Sequence, residues 1–186
     1  GSYPMSAEAA ADLAAGSLKA SGWASTPGHA GIAQAGFNDL LHYTVDGADA
    51  STVTYVNLLF SLDGLVSGSG NANYDWDMAF DDGWISVRAA GTTPQLSFVS
   101  SSYPKLGGWV SGGFSSLADP SHLRFEGVYA LLGASGDIDV NAYLHVAGQS
   151  GMSADFSHTA LYELDLPAGV SYTSASGVFL QGQGGP

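Results

Sequence analysis

Four carboxylates lie within eight positions of the stretch NANYDWDMAFDDGW, residues 71–84, which contains no lysine or arginine. They are Asp75, Asp77, Asp81 and Asp82. Carboxylate oxygens are preferred ligands of Ca²⁺, and paired carboxylates about 5–10 Å apart also hydrolyse glycosides. The stretch therefore predicts a calcium site. The turn at Asp81 and Asp82 is the better place for it, because a straight strand holds its acids too far apart to share one ion.

The same stretch alternates as a β-strand does. Successive side chains of a strand point to opposite faces. Large apolar residues occupy every second position and so share one face: Tyr74, Trp76, Met78 and Phe80. This pattern predicts a buried aromatic face and a solvated acidic face, which explains the carboxylates without any chemistry. At the level of sequence both interpretations stay open.

A second acidic motif, GDIDVN at residues 136–141, starts as a calcium loop does, with Asp137 and Asp139 two positions apart. An EF-hand is excluded, because the chain lacks glycine at the sixth loop position and glutamate at the twelfth. This run also alternates as a strand, with Tyr143 and His145 on the outward parity. It predicts either a calcium site at the two acids or an exposed face on which Tyr143 and His145 contact a glycan.

The segment YPKLGGWVSGGF, residues 103–114, combines aromatic residues with several glycines. Glycine weakens regular strands, so an irregular loop is expected here. Its aromatic residues are Tyr103, Trp109 and Phe114, and exposed rings of this kind stack on sugar faces. The alternative is that the rings fold back onto the core, as most aromatic residues do.

Motifs for other chemistry are missing from the sequence. The five histidines form no closely spaced pair of the kind that binds zinc, and no G-x-S-x-G motif for a nucleophilic serine occurs. Glycine-rich stretches do not open a helix as a phosphate-binding loop requires. No catalytic residue is predicted, and no cofactor is required, with Ca²⁺ as the one ion that the acids suggest.

The elements that must position these residues are short strands separated by Gly, Asp and Pro turns. Residues 6–15 favour helix by propensity but lead into a strand, residues 24–36 read as a loop, and residues 101–120 are also loop-like. The predicted strands are Ser17–Trp23, Phe37–Val45, Thr52–Leu62, Ala72–Phe80, Trp84–Ala89, Gln95–Ser100, Leu123–Leu132, Ile138–Ala147, Thr159–Leu166, Val170–Thr173 and Val178–Leu180. This spacing predicts an all-β fold, an antiparallel two-sheet sandwich or jelly roll of about ten strands with little helix.

Composition limits the function further. The net charge is −13, with 17 acids against four bases, so no basic surface for nucleic acid or anionic membranes exists. Charged residues make up only 11% of the chain, and Gly, Ser and strand-forming residues are abundant, which is typical of a secreted β protein. The absence of cysteine excludes disulfides and thiolate metal sites. Residues 1–186 are expected to form one domain, with an expression scar or leader at 1–5 and a linker at 181–186.

The C-terminal part of the chain, residues 143–180, resembles the bacterial PEP-CTERM proteins, which exosortase processes during export. The resemblance rests on Ala154–Ser157, Thr159-Ala160, Leu164–Val170 and the run SASGVFL, residues 174–180. The sorting tail that defines the family, and with it the membrane anchor, is not in the sequence. The resemblance implies export, location at the cell envelope or outside the cell, and association with exopolysaccharide or biofilm matrix. It implies no catalytic residues.

Three functions are consistent with these patterns. The first is a non-catalytic cell-surface or extracellular-matrix protein, whose partners are polysaccharide or similar matrix proteins. The second is a Ca²⁺-dependent carbohydrate-binding module, suggested by the two acidic motifs and the aromatic residues. The third is a secreted hydrolase, which rests on the acid pairs alone.

Overall fold

Two six-stranded antiparallel sheets pack face to face in the computed structural model, which describes residues 4–67, 72–81, 83–90, 93–100, 107–115 and 122–180. Sheet A has the order β1-β2-β11-β4-β9-β8, with β1 Met5–Asp12, β2 Ser17–Ala24, β11 Ser153–Asp165, β4 Val53–Ser67, β9 His122–Leu132 and β8 Gly108–Ser115. Sheet B has the order β12-β3-β10-β5-β6-β7, with β12 Val170–Ser174, β3 Ala30–Val45, β10 Ser135–Gln149, β5 Ala72–Phe80, β6 Gly83–Ala90 and β7 Thr93–Ser100. The predicted antiparallel two-sheet sandwich is confirmed.

Alternating side chains build the core between the sheets, as the sequence predicted for its two clearest strands. In β5, Tyr74, Trp76, Met78 and Phe80 are all buried. In β10 the inward parity is buried in the same way: Ile138, Val140, Ala142, Leu144 and Val146. Because these two strands pair with each other at the centre of sheet B, their remaining, alternate side chains form one continuous outer face.

Several segments differ from the sequence prediction. Residues 5–12 form a separate edge strand, β1, and β3 begins at Ala30 within the predicted loop. The loop-like region 101–120 contains a strand, β8, whose glycines are accommodated by a register shift between Trp109 and Ser111. Residues 178–180 are a turn and not a strand. Twelve strands and no helix occur in the described residues, so no helix there is long and apolar enough to cross a membrane.

The two sheets approach each other most closely at a corner made of three glycines. A Cβ atom on Gly31 of β3 would collide with the backbone of Trp23 and with the Ser6 carbonyl oxygen. A Cβ on Gly148 of β10 would collide with the Gly22 carbonyl of β2. Only glycine allows backbone to contact backbone in this way, so these positions fix how closely the sheets pack.

A plug, defined here as residues 175–180, closes the sandwich after β12. Phe179 is fully buried and packs edge-on against Phe37 and Tyr162, with ring centroids 5.9 and 5.4 Å away. The Tyr172 hydroxyl donates to the Phe179 carbonyl oxygen at 3.1 Å, and the Leu180 N–H donates to the Leu13 carbonyl oxygen, also at 3.1 Å. The segment therefore ties sheet B to the turn between β1 and β2.

Candidate functional site

The outer face of sheet B carries a three-by-three array of side chains, which we call the polar face. Its members are Asn141, Tyr143 and His145 of β10, Asp75, Asp77 and Ala79 of β5, and Trp84, Ser86 and Arg88 of β6. The strand register sets the rows directly, because Tyr143 lies opposite Asp77 and Asp77 opposite Ser86. With strands about 4.8 Å apart and alternate residues about 6.8 Å apart, the array measures roughly 10 by 14 Å. That is the scale of a short oligosaccharide.

Asp77 lies at the centre of the polar face and is only 9% exposed. This differs from the solvated acidic row that the alternation predicted, because its cross-strand neighbours shield it from water. Among the described residues, its Oδ1 atom is buried and has no hydrogen-bond donor. An unpaired buried carboxylate oxygen costs about 1–3 kcal/mol or more. Because this oxygen is buried, an incoming donor reaches it only when a neighbouring side chain moves.

Asp75 lies one row away, between two basic side chains. Its Oδ2 atom is 3.7 Å from His145 Nδ1, and its Oδ1 atom is 3.9 Å from Arg88 Nε. Neither distance is a hydrogen bond, and within the described residues His145 Nδ1 is buried without a partner. His145 and Asp77 thus place two unmet polar atoms on the same face. Both atoms are buried, so neither is presented directly to solvent.

Trp84 supplies an aromatic surface at the edge of the polar face. It is 43% exposed and lies opposite Ala79, whose small side chain leaves room beside the indole ring. Trp84 was not among the binding residues predicted from the sequence. The alternation of side chains along β6 could have identified it, because Ile85 and Val87 are buried and Trp84 therefore points to the opposite face.

The remaining predicted calcium ligands are dispersed. Asp81, in the turn after β5, has a positive φ of 53° and accepts a hydrogen bond from the Tyr129 hydroxyl at 2.5 Å. Asp137 lies near the exposed start of β10, and its Oδ1 atom is 2.7 Å from His42 Nδ1 of β3. Asp139 is exposed opposite Leu40, and Asp82 lies outside the described residues. In the part of the chain that the structure describes, no three acidic or histidine side chains gather as metal ligands.

The aromatic residues predicted to stack on sugars from 103–114 are placed differently from the expectation. Trp109 is 4% exposed, donates its Nε1–H to the Phe80 carbonyl oxygen at 2.9 Å, and packs over Gly83. Phe114 is half-buried against Phe125, with ring centroids 5.2 Å apart. Tyr103 lies outside the described residues. The expectation of an exposed Trp109 is wrong, because the ring fills space over a glycine and satisfies its N–H inside the core.

The outer face of sheet A has a concavity of about 680 Å³, lined by both polar and apolar side chains. Two of its carboxylates already have partners within the protein. Arg124 Nε donates to Glu126 Oε1 at 2.7 Å, and Asn57 Nδ2 donates to Asp165 Oδ2 at 3.2 Å. The polar face of sheet B, which adds the exposed ring of Trp84 to its polar side chains, is therefore the stronger candidate site.

No protein-family model, curated protein or solved structure matches the chain.

Proposed function

We propose that this protein is a non-catalytic, exported component of the cell surface or extracellular matrix, and that it binds polysaccharide on the polar face of sheet B. The observation that carries the proposal is the exposed indole ring of Trp84 beside a row of polar side chains on the outer face of sheet B. A ring face next to groups that donate and accept hydrogen bonds is suited to a sugar. Export and envelope location rest on the resemblance to PEP-CTERM proteins.

The residue types of the polar face define the class of glycan. Trp84 offers a ring face for stacking, Asn141 and Tyr143 offer groups that both donate and accept, and Asp75 and Asp77 accept. Two carboxylates against the single guanidinium of Arg88 disfavour uronates, sulfates and phosphates. The ligand is therefore a neutral, hydroxyl-rich polysaccharide.

Affinity electrophoresis on a panel of neutral and uronate-rich polysaccharides tests the proposal. We expect retardation by a neutral polymer, and loss of most of it in Trp84→Ala and Asp77→Asn. Tyr55→Ala is the matched control, because Tyr55 is an exposed aromatic residue on the outer face of sheet A. Retardation by uronate polymers alone, or equal loss in the control, would refute the assignment to the polar face.

Two further arms separate this proposal from the alternatives. Chelation with EGTA should leave retardation unchanged, because the described side chains of the polar face need no metal to accept sugar hydroxyls. Incubation with the bound polymer should release no reducing ends, because the domain is proposed to bind without cleaving. Loss of binding in EGTA would favour a calcium-dependent module, and steady release of reducing ends would favour a hydrolase.

A further inference from the structure

The four edge strands of the two sheets are protected to different degrees. Edge strands expose unpaired N–H and C=O groups, and proteins usually shield them with prolines, bulges, basic side chains or short length. β7 contains Pro94 near its start, β8 has a register shift between Trp109 and Ser111, and β12 is only five residues long. β1 has no proline, no bulge and no basic side chain, and its eight residues pair with β2 without a register shift; its only charges are those of Glu8 and Asp12.

β1 is also the most exposed strand for its length. All eight of its residues are exposed, on both faces. Ala7, Ala9 and Ala11 lie opposite buried positions of β2 and therefore point toward the core side, yet all three remain exposed. The backbone of β1 approaches β3 at Gly31, but its side chains add little to the core.

The sequence of β1, MSAEAAAD, favours helix more than strand, because alanine and glutamate are good helix formers and poor strand formers. Such a segment in a fully exposed edge strand is a conflict between local preference and the fold. β1 pairs with a neighbour, β2, on one side only, so its backbone hydrogen bonds compensate weakly for this poor strand propensity. A strand bound to the free edge would double the backbone hydrogen bonds of β1.

We propose that β1 pairs antiparallel with β1 of a second copy of this chain, joining the two copies of sheet A into one continuous sheet across a twofold axis. A second copy is the occupant because the strand is complementary to itself. In a register centred on Ala9, Glu8 lies opposite Ala10 and Asp12 opposite Ser6, so no two carboxylates face each other. Registers centred on Glu8 or Ala10 place acid against acid, which is destabilising.

This pairing is independent of the polar face, which belongs to the other sheet. Failure of self-association would leave glycan binding intact, and failure of glycan binding would leave the dimer intact. If both hold, each dimer carries two glycan-binding faces.

A charge exchange at Ala9 tests the proposal by sedimentation velocity. We expect a concentration-dependent dimer of the unaltered protein. Ala9→Lys and Ala9→Glu each place like charges opposite one another and should weaken the dimer roughly fivefold. An equimolar mixture of the two variants places lysine opposite glutamate and should restore it. A protein that stays monomeric at all concentrations, or a mixture no tighter than its components, would overturn the proposal.

Disulfide trapping gives a second measurement, because the chain contains no cysteine. Opposed residues of an antiparallel pair have Cα atoms about 4.5–5.5 Å apart, which is within the range of a disulfide. Ala9→Cys should therefore form a covalent dimer under mild oxidation. Ala168→Cys, in the exposed turn before β12, is the control and should stay largely monomeric. Equal cross-linking of both variants would contradict pairing through β1.

Discussion

Trp76 and Asp77 are adjacent in the chain and are both buried, but on opposite faces of sheet B. We expect Trp76→Ala to lower the free energy of unfolding by about 3–5 kcal/mol, because it removes a large aromatic side chain from a packed core. Asp77→Asn should leave stability unchanged or raise it, because the amide replaces a buried charge that has no donor in the described residues. Urea unfolding of the two variants measures both effects.

The pair of substitutions is its own control. Asp77→Asn is also expected to weaken glycan binding, so a variant that is stable but does not bind separates the two roles of the site. A large loss of stability in Asp77→Asn would mean that the carboxylate supports the fold, and weaker glycan binding by that variant would then not identify a contact with the ligand.

At the residue scale, sequence predicted orientation better than burial. Alternation placed Tyr143 and His145 on the outward face, and the structure confirms it. Sequence could not show that these side chains shield Asp77, because that depends on which strands become neighbours. Sequence also could not show that Trp109 is buried and Trp84 is exposed, because the difference arises from the packing of Trp109 over Gly83 in the folded protein.

At the scale of elements, the plug depends on one carboxylate. Asp39 Oδ2 accepts from the Ser176 hydroxyl at 2.6 Å, and Oδ1 accepts from the N–H groups of Ser176 and Leu40 at 3.1 and 2.9 Å. Burial raises the pKa of Asp39, but these hydrogen bonds more than offset that effect and hold the pKa below its ordinary value.

The lowered pKa predicts how the plug responds to acid. A carboxyl group whose pKa is lower in the folded state stabilises the fold above its unfolded pKa of about 3.9, and this contribution is lost as the pH falls through the folded pKa. Asp39→Ala should therefore cost about 1 kcal/mol at pH 7, and the difference from the unaltered protein should shrink below about pH 4. Urea unfolding at pH 7 and at about pH 3 measures it. A difference that does not change with pH would contradict the role of the ionised group.

Element boundaries were predictable where side-chain alternation was strong and uninterrupted. β5 and β9 were predicted to within one residue, because large apolar residues mark every second position. β1 and β8 were missed as strands because alanine and glycine carry little periodic signal and low strand propensity. Residues 178–180 were predicted as a strand because they are apolar, but Phe179 is buried as part of a turn that fills the space between the sheets.

At the scale of the whole molecule, the glycine corner fixes the spacing of the two sheets. We expect Gly31→Ala to lower the free energy of unfolding by roughly 2–3 kcal/mol or more, because its methyl group would meet backbone atoms of Trp23 and Ser6 that cannot move independently. Gly113→Ala on β8 is the matched control. A Cβ there meets nothing within 4 Å, so the change should be neutral or stabilise by about 0.5–1 kcal/mol. Thermal or urea unfolding of both variants shows whether the corner is as intolerant as its geometry indicates.

The plug also sets the order in which the molecule yields to mechanical force. Tension applied to the chain beyond Leu180 reaches the Leu180–Leu13 hydrogen bond and the buried ring of Phe179 before it reaches β12. Release of residues 175–180 lengthens the tether by about 2 nm while both sheets keep all their strands. A chain pulled briefly from this end would extend and then recover by reinserting one phenylalanine.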